Sequence, residues 1–323
     1  MVRVLSDEDV AELLELEALL DVIADAFRKQ RDGEVERPER PHFPVGTGLA
    51  QDPEAAMGTA LAMPAYVHGD DHYATKLASV HPGNPDVDMP TVQAQVAVSE
   101  AATGRPAAYM AGTRITNART GCIGGLAARE LADSPVRLGI LGAGTQARWQ
   151  ARAIAAATEV EWIRIHSPSD SKYECADDLA GELGVETEAV ERPDEAVEEA
   201  DVVVTATTAR SPVFRGADLA PGTLVIAIGA YTPDTQEIDG TTVERAGRIY
   251  ADVPEEVARI GDVPDLEAED LVPFGDAFDA PAVDAEEDDV VIVESVGSAT
   301  LDAATAEYLV GEMGDGVGTE VDL

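Results

Sequence analysis

Three basic side chains have the type and the setting to bind a small carboxylate. Lys76 lies in the strand-like run Tyr73-Ala74-Thr75-Lys76-Leu77-Ala78-Ser79-Val80. Alternation puts it on the face of Ala74 and Ala78, opposite Thr75, Leu77 and Ser79. A lysine among such small neighbours either snorkels to water or waits for an anion. Lysines are mostly exposed, yet this chain has only three, Lys29, Lys76 and Lys172, so each is unusually informative. Arg40 (in Pro38-Glu39-Arg40-Pro41) and Arg119 (in Asn117-Ala118-Arg119-Thr120-Gly121) are the other candidates. A guanidinium fork makes two parallel bonds to a carboxylate; the plain alternative for either arginine is a surface or ion-pair role.

A second chemistry is written in Val136 to Ala157, VRLGILGAGTQARWQARAIAAA. An apolar strand enters Gly142-Ala143-Gly144-Thr145-Gln146-Ala147, and an alanine-rich helix follows. That is the context a dinucleotide fingerprint requires. Gly142 makes the tight turn, Gly144 admits a pyrophosphate to the backbone, and Ala147 lets helix and sheet pack closely. The helix N-terminus supplies free N–H groups to the phosphates. An NAD-selective site expects an acid about 20 residues on, at the end of the next strand, for the ribose 2′-hydroxyl. Here that strand ends in His166-Ser167, followed by Ser169, Asp170, Ser171 and Lys172. Hydroxyls with a lysine suit a 2′-phosphate better, so the cofactor is expected to be NAD(P), leaning to NADP. Leu224 to Asp239, LVIAIGAYTPDTQEID, is a strand ending at Gly229-Ala230. Ligands bind at the carboxyl ends of such strands, which places Tyr231 near the nicotinamide. The alternative is a turn and an N-capped helix with Glu237 in its first turn.

The elements that must position these groups fall into two kinds. Ser6-Asp7-Glu8-Asp9 caps a helix running, with a break, to Phe27. Arg37 to Pro44 is too proline-rich for a helix and reads as an extended loop or edge strand. Strands are expected over Gly58–Met63, Tyr73–Val80, Thr91–Ser99 and Ala107–Gly112, in a mainly antiparallel sheet. A helix over Thr116–Ala132, beginning near Asn117, leads to the fingerprint strand. Strands and helices then alternate: Trp162–His166, Lys172–Leu183, Val185–Val190, Pro193–Glu199, Asp201–Ala206 and Leu224–Ala230, with further strands at Arg248–Val253 and Val290–Val296. That alternation argues for an α/β chain with a Rossmann-type doubly wound parallel sheet, joined to a smaller α+β substrate and dimerisation domain. Glu267 to Asp289 is expected as acidic surface loop, Thr300–Met313 as a final helix, and Gly314–Leu323 as a tail free to fray.

At 323 residues the chain is long enough for two cores. Its 63 acids against 22 bases give a net charge of −41, which disfavours nucleic acid and anionic membranes. The acid is spread along the chain, and 45% of residues are hydrophobic, so this is a solvated coat rather than disorder. Such coats suit high-salt cytoplasm, where salt screens self-repulsion, and a halophilic source is expected. Cys122 and Cys175 have no metal-type spacing, which fits a reduced cytoplasmic protein without a metal site. The start MVRVLSDEDV has no signal-peptide core, and no apolar run approaches a membrane span.

Taken together, Pro38-Glu39-Arg40, Met63-Pro64-Ala65-Tyr66, Lys76 with His81-Pro82-Gly83-Asn84, Met89-Pro90-Thr91 and Arg119-Thr120 resemble the ornithine cyclodeaminase/μ-crystallin family. So do the Gly142–Ala147 fingerprint, Ala206-Thr207, Ile228-Gly229-Ala230, Glu237-Ile238-Asp239 and Ser295-Val296-Gly297-Ser298-Ala299. That family includes archaeal alanine dehydrogenases and ketimine reductases. The resemblance implies a substrate and homodimerisation domain over 1–115, rejoined by a C-terminal helix within 300–323, and a Rossmann domain over 116–299. It implies substrate-carboxylate contacts from Arg40, Lys76 and Arg119, and cofactor contacts from Thr91, Arg119, Thr145, Gln146, Ser167, Thr207 and the Gly229–Tyr231 turn. The Val296-Gly297 turn would close the site. Cyclodeaminases of this family carry an aspartate where Tyr231 stands. A phenol of pKa ~10 is neutral and cannot pair with a second ammonium group. The activity expected is therefore an NAD(P)-dependent oxidoreductase of small amino or imino acids, of alanine dehydrogenase or ketimine reductase type. Lys76, Arg119 and Tyr231 are its expected catalytic residues, and Arg40, Lys76 and Gly297 its expected substrate contacts. The alternatives are ornithine cyclodeaminase, converting L-ornithine to L-proline and ammonia, and a non-catalytic NADPH-binding protein.

Overall fold

Hydrophobic spacing accounts for most of the elements in the computed structural model, which describes residues 1–49, 54–87, 89–279, 289–314 and 316–322. The chain runs β1 (Val2–Leu5), α1 (Asp7–Leu13), α2 (Leu16–Arg31), β2 (Val35–Glu36), β3 (His42–Val45), β4 (Gly58–Val67), β5 (His72–Val80), β6 (Val92–Glu100), β7 (Pro106–Ala111) and α3 (Gly112–Leu131). It continues β8 (Val136–Leu141), α4 (Thr145–Ala157), β9 (Val160–His166), α5 (Ser171–Leu183), β10 (Glu186–Val190), α6 (Pro193–Val197), β11 (Val202–Thr205), β12 (Leu224–Ala227), α7 (Gly240–Glu244) and β13 (Ala246–Ala251). Last come α8 (Pro254–Val257), β14 (Val272–Pro273), β15 (Val290–Glu294), α9 (Ala299–Glu312) and a terminal strand, Thr319–Val321.

Two compact units divide it. The first holds Met1–Glu15, Asp32–Arg119 and Ala299–Leu323; the second holds Leu16–Arg31 and Thr120–Ser298. Helix α2 thus belongs to the second unit, although it lies within the 1–115 stretch expected for the first.

In the first unit, eight strands make one sheet in the order terminal strand, β1, β7, β6, β5, β4, β2, with β3 also on β4. Only β1 and β7 pair in parallel; the other pairs are antiparallel. Period-two alternation sends Ala74 and Lys76 of β5 to the inner face, with Met63, Ala65, Val96, Val98, Ala108 and Met110. Helix α9 covers that face of β4 and β5. It can lie close because its buried positions are mostly small: Ala299, Ala303, Ala304 and Ala306. The outer face shows Val4, Phe43, Tyr73, Leu77 and Tyr109, all exposed. Ser6 caps α1 in a reciprocal box with Asp9.

The second unit is built on eight parallel strands in the order β10-β9-β8-β11-β12-β15-β13-β14. Its first five strands follow the 3-2-1-4-5 winding of a dinucleotide-binding sheet, which reverses direction between β8 and β11. Strands β11 and β12 are buried at every residue, as both-faces-covered parallel strands must be. Helix α4 packs on α3 where glycines leave room: a Cβ on Gly121 would meet the Trp149 carbonyl oxygen at 2.7 Å.

Several expectations need correction. Helix α3 starts at Gly112, not near Asn117. Glu237 does not lie in the first turn of a helix; α7 begins at Gly240 with Asp239 as its cap. Part of the acidic stretch from Glu267 is packed rather than loose. Phe274 is buried and meets Phe27 edge-on, with ring centroids 5.1 Å apart; residues 280–288 lie outside the described residues. The tail does not fray throughout, since Thr319–Val321 pairs antiparallel with β1.

Candidate functional site

In the first unit, Lys76 and Arg119 meet at one carboxylate. Asp302 of α9 places Oδ2 2.7 Å from the Lys76 ammonium nitrogen. Its Oδ1 accepts from Arg119 Nε at 3.0 Å. Lys76, Arg119 and Asp302 are 2%, 4% and 1% exposed, so the group is a buried triad of two cations and one anion. Arg119 keeps a buried Nη1 that has no hydrogen-bond partner among the described residues. Burial pushes the Lys76 ammonium down to about 8; Asp302 resists this, while the charges of Arg119 and Arg40 push the same way. Arg40, half-buried ahead of β3, is therefore part of the same electrostatic neighbourhood. A second link ties β5 to α9, where His72 Nδ1 lies 2.8 Å from Glu307 Oε2.

The expected cofactor residues of the second unit share one edge of its sheet. Gly142, Gly144, Thr145, Gln146 and Ala147 form the turn from β8 into α4. Ser167 follows β9, Thr207 follows β11, Gly229-Ala230-Tyr231 follows β12, and Val296-Gly297 follows β15. All are carboxyl ends of parallel strands, where open α/β sheets bind ligands. Gly142 has φ +118°, and a Cβ there would lie 2.5 Å from the Ala206 carbonyl oxygen. Gly144 caps α4 with no side-chain bond to the helix and open space over its missing Cβ. The first-turn N–H groups of α4, a positive dipole end and a bare glycine fit a dinucleotide pyrophosphate. Thr91 lies in the first unit, half-buried just before β6. Tyr231 is 48% exposed, its backbone N–H held by Thr235 Oγ1 at 3.0 Å.

Two buried carboxylates hold these loops: Glu237, named in the sequence only as a first-turn residue and part of a family motif, and Asp252, which the sequence reading missed. Glu237 Oε1 accepts from Thr207 N–H at 2.6 Å, and Oε2 accepts from Gly229 N–H at 2.7 Å and Thr205 Oγ1 at 2.9 Å. Asp252 accepts from Ser295 Oγ and Gly297 N–H, both at 2.7 Å, and from Val296 N–H at 3.2 Å. Burial raises Glu237 to about 7 against the pull of its donors, and Asp262, which caps the Glu237 and Ile238 N–H groups, to about 6. Glu294 is fully buried with neither oxygen bonded among the described residues, and burial lifts it well above an ordinary carboxyl. Asp302 was missed as well. Its signal was available, because it is the one charged residue in the run from Ala299 to Ala306. Following β9, Lys172 is buried and its Nζ lies 3.2 Å from Glu191, while the hydroxyls of Ser167, Ser169 and Ser171 form a chain. Among the described residues no group of three or more His, Cys, Asp or Glu could hold a metal.

The fold is shared with solved proteins. A Δ1-pyrroline-2-carboxylate reductase from Thermococcus litoralis, solved with NADH and L-proline, superposes with a TM-score of 0.91 at 28% identity, covering 99% of this chain and 100% of that one. An archaeal alanine dehydrogenase dimer with bound NAD gives 0.87 at 26% identity, with 99% of each chain covered. In sequence, a Δ1-pyrroline-2-carboxylate reductase from Bacillus cereus is 30% identical over 283 residues, 82% of this chain and 85% of that protein. The profile of the ornithine cyclodeaminase/mu-crystallin family spans residues 2–316, and the chain belongs to that family.

Proposed function

We propose that this chain is an NAD(P)-dependent oxidoreductase that reduces small imino acids, cyclic ones such as pyrroline-2-carboxylate foremost, to amino acids. The observation that carries the reading is the buried pair of cations on one carboxylate, with Arg119 Nη1 still lacking a partner among the described residues. A buried donor without a partner is costly, and a substrate carboxylate would satisfy it. Arg119 and Arg40 bind that carboxylate. Lys76, its pKa of about 8 close to working pH, donates the proton that the substrate nitrogen takes up. The bound cofactor supplies hydride from its nicotinamide to the carbon of the C=N bond. One hydride and one proton thus convert the imine to the amine. Fixed positive charge and orientation provide most of the rate.

The Gly142–Ala147 turn and α4 would hold the pyrophosphate, Ser167 would serve the adenosine ribose, and Thr207, Gly229 and Ala230 would line the nicotinamide end, with Glu237 and Asp252 fixing the loops. Val296 and Gly297 would close the far side, and Tyr231 puts a phenol where cyclodeaminases of the family carry a carboxylate. Ser167, Ser169, Ser171 and Lys172 favour NADPH over NADH, although Glu191 beside Lys172 opposes part of that preference. The exposed apolar face of Val4, Phe43, Tyr73, Leu77 and Tyr109 is covered by a second copy of this chain, as expected for so apolar a patch on so acidic a protein. No described helix is long and apolar enough to cross a membrane; the cofactor and the two free, buried cysteines suit the cytoplasm.

The test is NADPH and NADH oxidation at molar salt with cyclic imino acids and with pyruvate plus ammonia, alongside ornithine. Stoichiometric cofactor consumption is expected. Proline release from ornithine without net cofactor change would establish a cyclodeaminase instead. Tight NADPH binding with no turnover would establish a binding protein.

A further inference from the structure

We infer that Asp302 is the positioning residue of this site, holding the Lys76 ammonium and the Arg119 guanidinium in register so that one can donate a proton while the other binds a carboxylate. The inference rests on the function proposed above, but its physical core does not. The three side chains come from β5, α3 and α9, and Asp302 makes the ion pair to each cation. The charged groups that bear on Lys76 are Asp302 from α9, Arg119 from α3 and Arg40 from the segment before β3. Asp302 is the single anion in that set. By engaging Arg119 through Nε, it leaves Nη1 for an incoming oxygen. By pairing with Lys76, it keeps a buried amine charged where burial and two arginines favour the neutral form. A neutral Lys76 has no proton to donate, and without the shared carboxylate the two cations repel each other.

Only three lysines occur in the chain, so 13Cε-lysine labelling gives a spectrum in which Lys76 can be assigned from a Lys76→Met sample. Wild type, Asp302→Asn and Asp302→Glu are titrated this way. In parallel, kcat, KM and the pH profile are measured with a cyclic imino acid, and NADPH affinity by fluorescence reports folding. In Asp302→Asn we expect the Lys76 transition to fall by roughly one to three pH units. The high-pH limb of kcat should move with it, and NADPH affinity should be unchanged. Asp302→Glu should restore the transition but only part of kcat, because the charge returns at a different reach. An unmoved Lys76 transition in Asp302→Asn overturns the inference. So does full kcat in either variant. If Asp302→Asn fails to bind NADPH, the Glu variant alone decides, and wild-type kcat with an unaltered profile there overturns it. A wild type that turns over no imino acid, with Lys76 still responding to Asp302, would sink the proposed function and leave the positioning role standing.

Discussion

Lys76, Arg119 and Asp302 together carry one excess positive charge in a buried site, and that imbalance makes their removal unequal. Truncating Asp302 to alanine strands two cations and should cost about 3–5 kcal/mol. Replacing Lys76 by methionine leaves a neutral Arg119–Asp302 pair of similar bulk. We therefore expect Lys76→Met to melt at or above the wild-type temperature while imine turnover falls by about 10²–10⁴-fold. Calorimetry beside the NADPH assay checks both. A melting point that fell with activity would make Lys76 a structural residue. Glu294 makes a related case in the second unit. An ordinary glutamate ionises near 4.5, but buried Glu294 keeps its proton far above that. Above 4.5 the native state holds a proton that the unfolded chain has released, so stability declines as pH rises through that window and beyond. Glu294→Gln removes this penalty. It should raise the melting temperature at pH 8 by about 2–4 °C for each kcal/mol relieved, and leave it nearly unchanged at pH 5. None of these couplings was visible in the sequence, where Lys76, Arg119 and Asp302 are far apart. What could be read was chemical type, the scarcity of lysine and the inward face of β5.

The cofactor site proposed at the β8–α4 turn is a property of elements rather than of single groups. Gly142 and Gly144 serve it differently, and alanine at each should separate the roles. At Gly142 a side chain meets both a left-handed backbone and the Ala206 carbonyl. Stability should drop by about 1–3 kcal/mol, and NADPH affinity should go with it. At Gly144 nothing lies within 4 Å and φ is −84°, so the variant should fold normally and lose NADPH affinity alone. Thermal melts and fluorescence titration tell the two apart; wild-type affinity in Gly144→Ala would place the pyrophosphate elsewhere. This turn was legible because its glycines are adjacent in sequence to the strand and helix they join. The packed part of the Glu267 stretch was not, since its acids suggest solvent while Phe274 is held by Phe27 from α2. The start of α3 at Gly112 was hidden by a glycine and a threonine, poor helix formers that tertiary packing overrides.

At the scale of the whole molecule, charge sets the conditions of life. A net charge of −41 makes the native state repel itself at low ionic strength. We propose that the coat is an adaptation to salt, and expect the melting temperature to rise steeply from low to molar salt. Light scattering should show a dimer at molar salt, and Leu77→Lys on the outer face should shift it to monomer. Salt-independent melting would remove the first expectation, and a dimer unaffected by Leu77→Lys the second. The charge, the doubly wound alternation and the fingerprint were determined by the sequence itself, because composition and periodicities of two and 3.6 are local properties. The family resemblance rested on short motifs of the same kind. Only the tertiary structure decided that Asp302 pairs with Lys76 and Arg119, and that Glu237 and Asp252 hold the loops after β11, β12 and β15. A buried charge is stabilised by whichever partner folding brings into the same low-dielectric space, and spacing along the chain does not specify that partner.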